Sequence, residues 1–414
     1  MNKQKGIHTM LRSNRSKLFR AVIGCLAVQL CVGILYLWSV CKQAAMEFYG
    51  WQSGEVNLVA SFMLLAFCLG SLVGGILQDR IGPKPVCIMG VALFGGGILA
   101  ASFLGSDASI VLFYLTYCLL AGMGTGFAYG SVLSCIQKWF PHKRGFATGL
   151  GASAFGFSTV IFSPVISALL GNMTLPETLR TLSVIFLVVG LVACTQISLP
   201  DKAYLDSLNL PAASVSAVES KTLAQAVRML PFWLLFAGAF LYNGTWNMLT
   251  PLIKGLGMER GLSEATAVLC VSLTGITNAA GRLLMSSLSD KLGRVTTLLI
   301  LCALTLFCSL LLVFVGGPVY LVIVLAAAFA FGAQAAISPA TSTDFFGPKY
   351  SATNYGVIML SLGLSSVTFN AISNALYSAT GTYTSTFIMG AFTALLAAAA
   401  FLFIDKLNKK RKAA

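Results

Sequence analysis

Gly75-Ile76-Leu77-Gln78-Asp79-Arg80-Ile81-Gly82-Pro83-Lys84 returns, with its spacing kept, as Ser286-Ser287-Leu288-Ser289-Asp290-Lys291-Leu292-Gly293-Arg294. The two aspartates lie 211 residues apart in a chain of 414. A second pair of segments echoes the first: Trp139-Phe140-Pro141-His142-Lys143 against Phe345-Phe346-Gly347-Pro348-Lys349, 206 residues apart. One such loop is an ordinary turn with chance charges; two copies at half-chain spacing argue for a duplicated unit. Each copy has a physical reading. Gly75 lets two helices approach closely, and an aspartate beyond it can meet a helix N-terminus across an interface and pair with an arginine. The expected latch residues are Gly75, Asp79, Arg80 and Gly82 in the first copy, and Asp290, Lys291, Gly293 and Arg294 in the second.

Working outward, the loops sit between long apolar runs. Residues are 57% hydrophobic and 10% charged, with mean hydropathy +0.85, whereas a soluble domain carries about 25% charged residues. Composition therefore excludes a soluble core. A membrane helix needs roughly 20 apolar residues, and twelve runs qualify: 20–40, 55–78, 84–104, 109–136, 145–171, 179–199, 231–254, 264–288, 295–315, 318–342, 353–379 and 383–405. The first is too long for the apolar region of a signal peptide and has no clear cleavage site, so it reads as a membrane helix. The polar, Ser-rich stretch 200–230 divides the chain into expected halves 1–199 and 231–414. The expectation is an all-α membrane protein: twelve helices in two pseudo-symmetric six-helix halves around a linker, the parallel-repeat plan of many secondary transporters.

Charge placement gives the orientation. The formal net charge is +14, which in a soluble protein would suggest nucleic acid. Here 22 of the 27 Lys and Arg fall before the first run, after the even-numbered runs, or in the tail from Lys406 to Lys412. The opposite side holds Lys42, Arg180, Lys254 and Arg260. The positive-inside rule puts both termini in the cytoplasm, in the inner or plasma membrane, and removes the case for a nucleic-acid partner. The eleven cysteines are scattered, with no metal-ligand spacing. No metal or cofactor is expected, and the expected partners are a small solute and membrane lipid around a functional monomer.

On the twin loops the chain resembles the major facilitator superfamily over essentially its whole length. Finer motifs narrow the resemblance: Lys138-Trp139-Phe140-Pro141-His142-Lys143-Arg144-Gly145-Phe146-Ala147-Thr148-Gly149, Pro231-Phe232-Trp233, Phe345-Phe346-Gly347 with Asn354-Tyr355-Gly356, and Gly33 followed by Tyr36-Leu37-Trp38-Ser39. As an ordered set they look like the oxalate:formate antiporter family, which is related to the monocarboxylate transporters.

One Lys or Arg remains, Arg282, inside the eighth run. A charge within a membrane helix is costly and marks a functional candidate. Its planar guanidinium matches a carboxylate bidentately, and the run holds no acidic partner. The bland readings are that it snorkels to the interface or pairs with Asp79 or Asp290. The resemblance points to substrate, because the family's aligned arginine binds carboxylate. Asn278, one turn earlier on the same face, orients the guanidinium, meets substrate, or cross-links helices. Proton-coupled relatives have an aspartate at that spacing, so its absence weakens proton symport.

The resemblance also implies an aromatic pocket at Tyr36, Trp38, Tyr129 and Phe331, although membrane aromatics as often face lipid or the bundle core. Ala335, beside Gln334, replaces a further pocket aromatic, which enlarges the site. Leu362 stands where the family's oxalate carrier has a lysine, and one cation matches one negative charge. The expectation is a secondary carrier of a monocarboxylate of the formate, lactate or pyruvate type, as exchanger or proton symporter. The alternatives are oxalate/formate exchange and proton-coupled drug export. There is no Gly-x-x-x-x-Gly-Lys-Ser/Thr loop for ATP, and His8 and His142 lie outside the runs, so an enzyme is not expected. Asn243 and Asn247 share one face of the seventh run, either lining a cavity or joining helices.

Overall fold

The computed structural model describes residues 2–33, 38–208 and 219–413. Twelve long helices dominate: α1 (Asn2–Val32), α2 (Ser53–Ile81), α3 (Pro83–Ala101), α4 (Ile110–Trp139), α5 (Arg144–Leu170), α6 (Leu175–Thr195), α7 (Leu230–Leu249), α8 (Glu264–Leu292), α9 (Arg294–Leu311), α10 (Gly317–Phe346), α11 (Ser351–Thr380) and α12 (Thr384–Ala413). Among the described residues, 10 helices are long and apolar enough to cross a membrane; α1 and α7 are the two outside that group. The first apolar run, 20–40, covers the end of α1, residues 34–37 outside the described set, and the start of a helix Trp38–Tyr49. In α7 the polar Asn243 and Asn247 interrupt the apolar surface.

Helix ends follow local chemistry. α6 starts four residues before its expected position because Thr174 and Glu177 form a capping box with Pro176 inside the first turn. α7 stops at Leu249, where Pro251 cannot continue the ladder; a 3-10 turn Thr250–Leu252 and a short helix Ile253–Glu259 follow. In both loop repeats a glycine ends the helix with positive φ, 89° at Gly82 and 89° at Gly293. Their N–H groups return to Gln78 O (2.8 Å) and Ser289 O (3.1 Å). A side chain at either position would strain the turn, which explains the repeated glycine.

The packing repeats as the sequence does. In the first half α1 lies on α5 and α6, α2 on α4, and α3 on α4 and α6; in the second, α7 lies on α11 and α12, α8 on α10, and α9 on α10 and α12. Between the halves α5 packs on α8 and α2 on α11, which is the same pairing seen from each side. Glycines let these backbones touch: a Cβ on Gly75 would collide with Ala352, and one on Gly149 with the Arg282 carbonyl. The outer faces carry apolar stripes, such as Leu58, Phe62, Leu65, Leu69 and Val73 on α2. Spacings of three and four place them on one face of the helix. Exposed side chains of this kind belong in lipid, and the protein is a multi-pass membrane protein.

The chain between the halves is moored at both ends. Tyr204 donates to Trp139 O (3.2 Å) at the end of α4, and their rings meet edge to face. At the other end Lys221 N donates to Phe346 O (2.8 Å), Asn354 Nδ2 to Lys221 O (3.0 Å), and Lys349 N to Ser220 Oγ (3.2 Å).

Candidate functional site

Two groups of polar residues lie between the halves, one at mid-depth and one at the end of the bundle that holds the repeated loops. At mid-depth, Arg282 is 3% exposed on α8. Its Nε donates to Asn278 Oδ1 at 2.7 Å, one turn back, and Nη1 reaches Ala152 O on α5 at 3.4 Å. None of the ion pairs among the described residues includes Arg282. Taking a guanidinium out of water costs several kcal/mol, about as much as a close carboxylate returns. The site is thus electropositive and incompletely solvated.

Around it the aromatic residues divide. The Tyr355 hydroxyl of α11 lies near that of Tyr129 on α4 and close enough to Arg282 to interact with its charge. The Tyr129 ring packs on Phe67 at 5.3 Å and Phe155 at 5.0 Å. Phe331 is stacked on Trp246 of α7 at 5.3 Å. Trp38 sits elsewhere: its Nε1 donates to Val56 O (2.8 Å), and its ring packs on Phe113 and Tyr117, all within the first half. Tyr36 lies outside the described residues. Beside Tyr355 a small cavity opens between α7, α10 and α11, lined among others by Asn243, Gln334, Ala335, Ser338 and Leu362. Gln334 Nε2 donates to Ser338 Oγ at 3.0 Å. Asn247, one turn from Asn243, is instead turned to α11, where Nδ2 donates to Ser365 Oγ at 3.1 Å.

At the loop end each aspartate of the repeat meets the first turn of a helix in the opposite half. Asp79 Oδ2 accepts from Thr353 N (3.0 Å) and Thr353 Oγ1 (2.6 Å) on α11. Asp290 accepts from Gly145 N and Phe146 N on α5, both at 2.8 Å. The second site goes further: Arg294 pairs with Asp290 (2.6 Å) and Asp344 (2.8 Å), and Arg144 of the first half reaches Asp344 at 2.8 Å. Lys291 and Arg80 flank their aspartates on the outer side of the turns. Next to the first latch, Gln78 donates to Ser134 Oγ (2.9 Å), which bonds Ser351 Oγ across the halves (3.1 Å). The hydrogen bonds that join the two halves among the described residues lie at this end or at mid-depth.

A transporter-type scaffold with this twofold packing is what comparison with known proteins finds. The family model described as Major Facilitator Superfamily matches residues 21–367. The chain belongs to the major facilitator superfamily. As a member it is a transporter and not an enzyme. It is 27% identical to the oxalate:formate antiporter of Oxalobacter formigenes, over 97% of this chain and 94% of that protein. It is also 27% identical to monocarboxylate transporter 13 of Rattus norvegicus, over 82% of this chain and 78% of that one. Apicoplast pyruvate carrier 1 of Toxoplasma gondii matches at 26%, over 80% and 72%. The superfamily fold is shared with the transporter FucP in its outward conformation, at TM-score 0.72 and 14% identity, covering 94% of this chain and 99% of that structure. The human organic anion transporter MFSD10 gives TM-score 0.68 at 16% identity, with 94% and 99% covered.

Sequence reasoning passed over three residues of these groups. Tyr355 served only as a landmark in a motif, although its register on the eleventh run faces the interior. Asp344 lies 206 residues after Lys138, so the repeat itself marks the position. Thr353 was invisible, because the partner of Asp79 comes from 274 residues away.

Proposed function

We propose that this superfamily member carries a small organic anion, a monocarboxylate, by alternating access, with Arg282 as the cation that binds its carboxylate. The observation that carries the reading is a buried guanidinium at the interface of the halves with no carboxylate paired to it. A substrate carboxylate supplies the missing charge and accepts two N–H groups at once. Asn278 holds Nε and Ala152 O takes one N–H of Nη1, which leaves the other outer N–H groups for the ligand. Tyr129 and Tyr355 supply hydroxyls from the two halves, so a bound anion is touched from both sides. Phe331 forms an apolar wall, Gln334 and Leu362 border the adjoining cavity, and Trp38 supports the fold of the first half.

Gly75, Asp79, Arg80, Gly82, Asp290, Lys291, Gly293 and Arg294 form the gate in this reading. Its aspartates hold the loop end shut, and their release lets the halves rock. By the charge asymmetry of the sequence that end faces the cytoplasm, with both termini, in an inner or plasma membrane, and the working unit is a monomer. The relatives named for oxalate, formate, monocarboxylates and pyruvate support an anion of this class. Against oxalate stands Leu362: a second carboxylate beside it would lose water without gaining a cation, at a cost of several kcal/mol.

The test is counterflow in proteoliposomes with labelled formate, lactate, pyruvate and oxalate at two pH values. Monocarboxylates exchange and oxalate does not; strong oxalate transport refutes the single-cation argument. Uptake driven by an imposed pH gradient assigns proton symport, and counterflow indifferent to it assigns exchange.

A further inference from the structure

Asn243 is 3% exposed on α7 and lines the cavity beside Tyr355. Its Nδ2 donates to Ala239 O at 2.8 Å. That carbonyl accepts only from a donor, so the amide cannot be turned around, and Oδ1 is the atom left on the other side. Oδ1 is buried and has no hydrogen-bond partner among the described residues. A buried acceptor without a donor costs about 1–3 kcal/mol, and it is the kind of vacancy that a ligand fills.

The cavity has the right scale for a substrate's tail. The space open to the centre of a water molecule is about 30 Å³, room for roughly two or three waters. Its polar rim comes from Gln334, Ser338, Ser361 and Tyr355, and no acidic or basic side chain lines it. A metal cation would also satisfy an amide oxygen. However, no carboxylate is present to neutralise it, and the Arg282 charge acts on Tyr355 at the cavity wall. A neutral O–H donor fits the electrostatics; a cation does not.

We infer that Asn243 reads a hydroxyl on the substrate, so that the transported class is small hydroxy-monocarboxylates, with the carboxylate on Arg282 and the hydroxyl donating to Asn243 Oδ1. This rests on the Arg282 reading above. Tyr355 lines the cavity with Asn243 and feels the charge of Arg282, so it links the charged and the hydroxyl-reading ends of the site. Ala335 leaves the space that a larger side chain would take from the tail.

The experiment is competition for counterflow between acids that differ only by a hydroxyl: lactate and 3-hydroxypropionate against propionate. In the wild-type protein the better hydroxy acid outcompetes propionate by roughly tenfold, the ratio that about 1.4 kcal/mol supplies. Asn243→Leu brings that ratio close to one. Because a ratio is read, a lower yield of folded variant cancels. Propionate competing as well as both hydroxy acids in the wild type overturns the inference, as does an unchanged ratio in Asn243→Leu. A sodium requirement that Asn243→Leu removes also overturns it, in favour of a cation site. Arg282→Gln separates the two readings. If it still transports all three acids, the carboxylate site itself is wrong. If it transports none while the wild type fails to discriminate, only the hydroxyl assignment falls.

Discussion

Arg282 is buried and Arg294, twelve residues further on, is nearly so, yet their surroundings are opposite. Arg294 is held between Asp290 and Asp344 and bonds Ser289, and Arg144 shares Asp344 from the other half. Arg282 has an asparagine and a distant carbonyl. The protein answers the guanidinium of Arg294 from its own carboxylates and leaves that of Arg282 to be answered from outside. Pairing therefore separates a residue that joins the halves from one available to a passenger. A second contrast lies within the loop end. Where the second latch has Arg294, the first has Pro83, and where the second has Asp344, the repeat places Lys138. The two latches share a backbone plan and differ in charge.

The largest effect is expected at Arg282. Arg282→Gln abolishes counterflow of monocarboxylates while its melting temperature in detergent stays level or rises, since an unpaired buried charge is removed. Full transport by this variant ends the site assignment, and a collapsed fold would place Arg282 with the structural arginines. Arg294→Gln does the reverse. It leaves Asp290 without a cation and Asp344 with Arg144 alone, and destabilises the shut conformation by ~1–3 kcal/mol, seen as a lower melting temperature and readier labelling of a cysteine introduced behind the latch.

The two latches separate next. Asp290 loses two charge-assisted backbone bonds and an arginine on substitution, Asp79 two bonds from a single threonine, and Asp79 Oδ1 is already buried without a partner. Asp290→Asn is expected to weaken closure by ~1–2 kcal/mol more than Asp79→Asn, measured by the same labelling; equal effects would dissolve the distinction. The smallest change is Asn278→Asp, which gives Arg282 the carboxylate it lacks. Monocarboxylate affinity falls by roughly tenfold, about 1.4 kcal/mol, and recovers as the pH is lowered and the new carboxyl takes up a proton. A pH-independent affinity would show that residue 278 does not face the bound anion.

Much of the fold was legible because it is written twice. The paired loops gave the halves, and the apolar runs gave most of the helices to within a few residues; the exception is the first, 20–40, which straddles the end of α1 and the start of the helix Trp38–Tyr49. What moved were ends set by caps and prolines, as at Thr174 and Pro251. The site was legible only where one residue is anomalous by itself. Arg282 stands out in any apolar run, but Trp38 and Tyr129 look equivalent in sequence and are separated by what packs on them. Asn243 and Asn247 share a helix face, and only the neighbours decide that one meets Ser365 while the other meets a cavity. Of the carboxylates that saturate Arg294, Asp290 stands four residues before it in the repeated loop, whereas Asp344 comes from α10 and no local spacing announces it.

Tyr204 is tied to the end of α4, and Lys221 to the end of α10 and the first turn of α11. Each mooring thus lies within one half, and neither of these hydrogen bonds crosses the interface. Rocking of the halves leaves both ties intact, so the entry and the exit of the connection travel with the bodies they are fastened to. The angle between the halves is then left to the contacts that the passenger and the latches make.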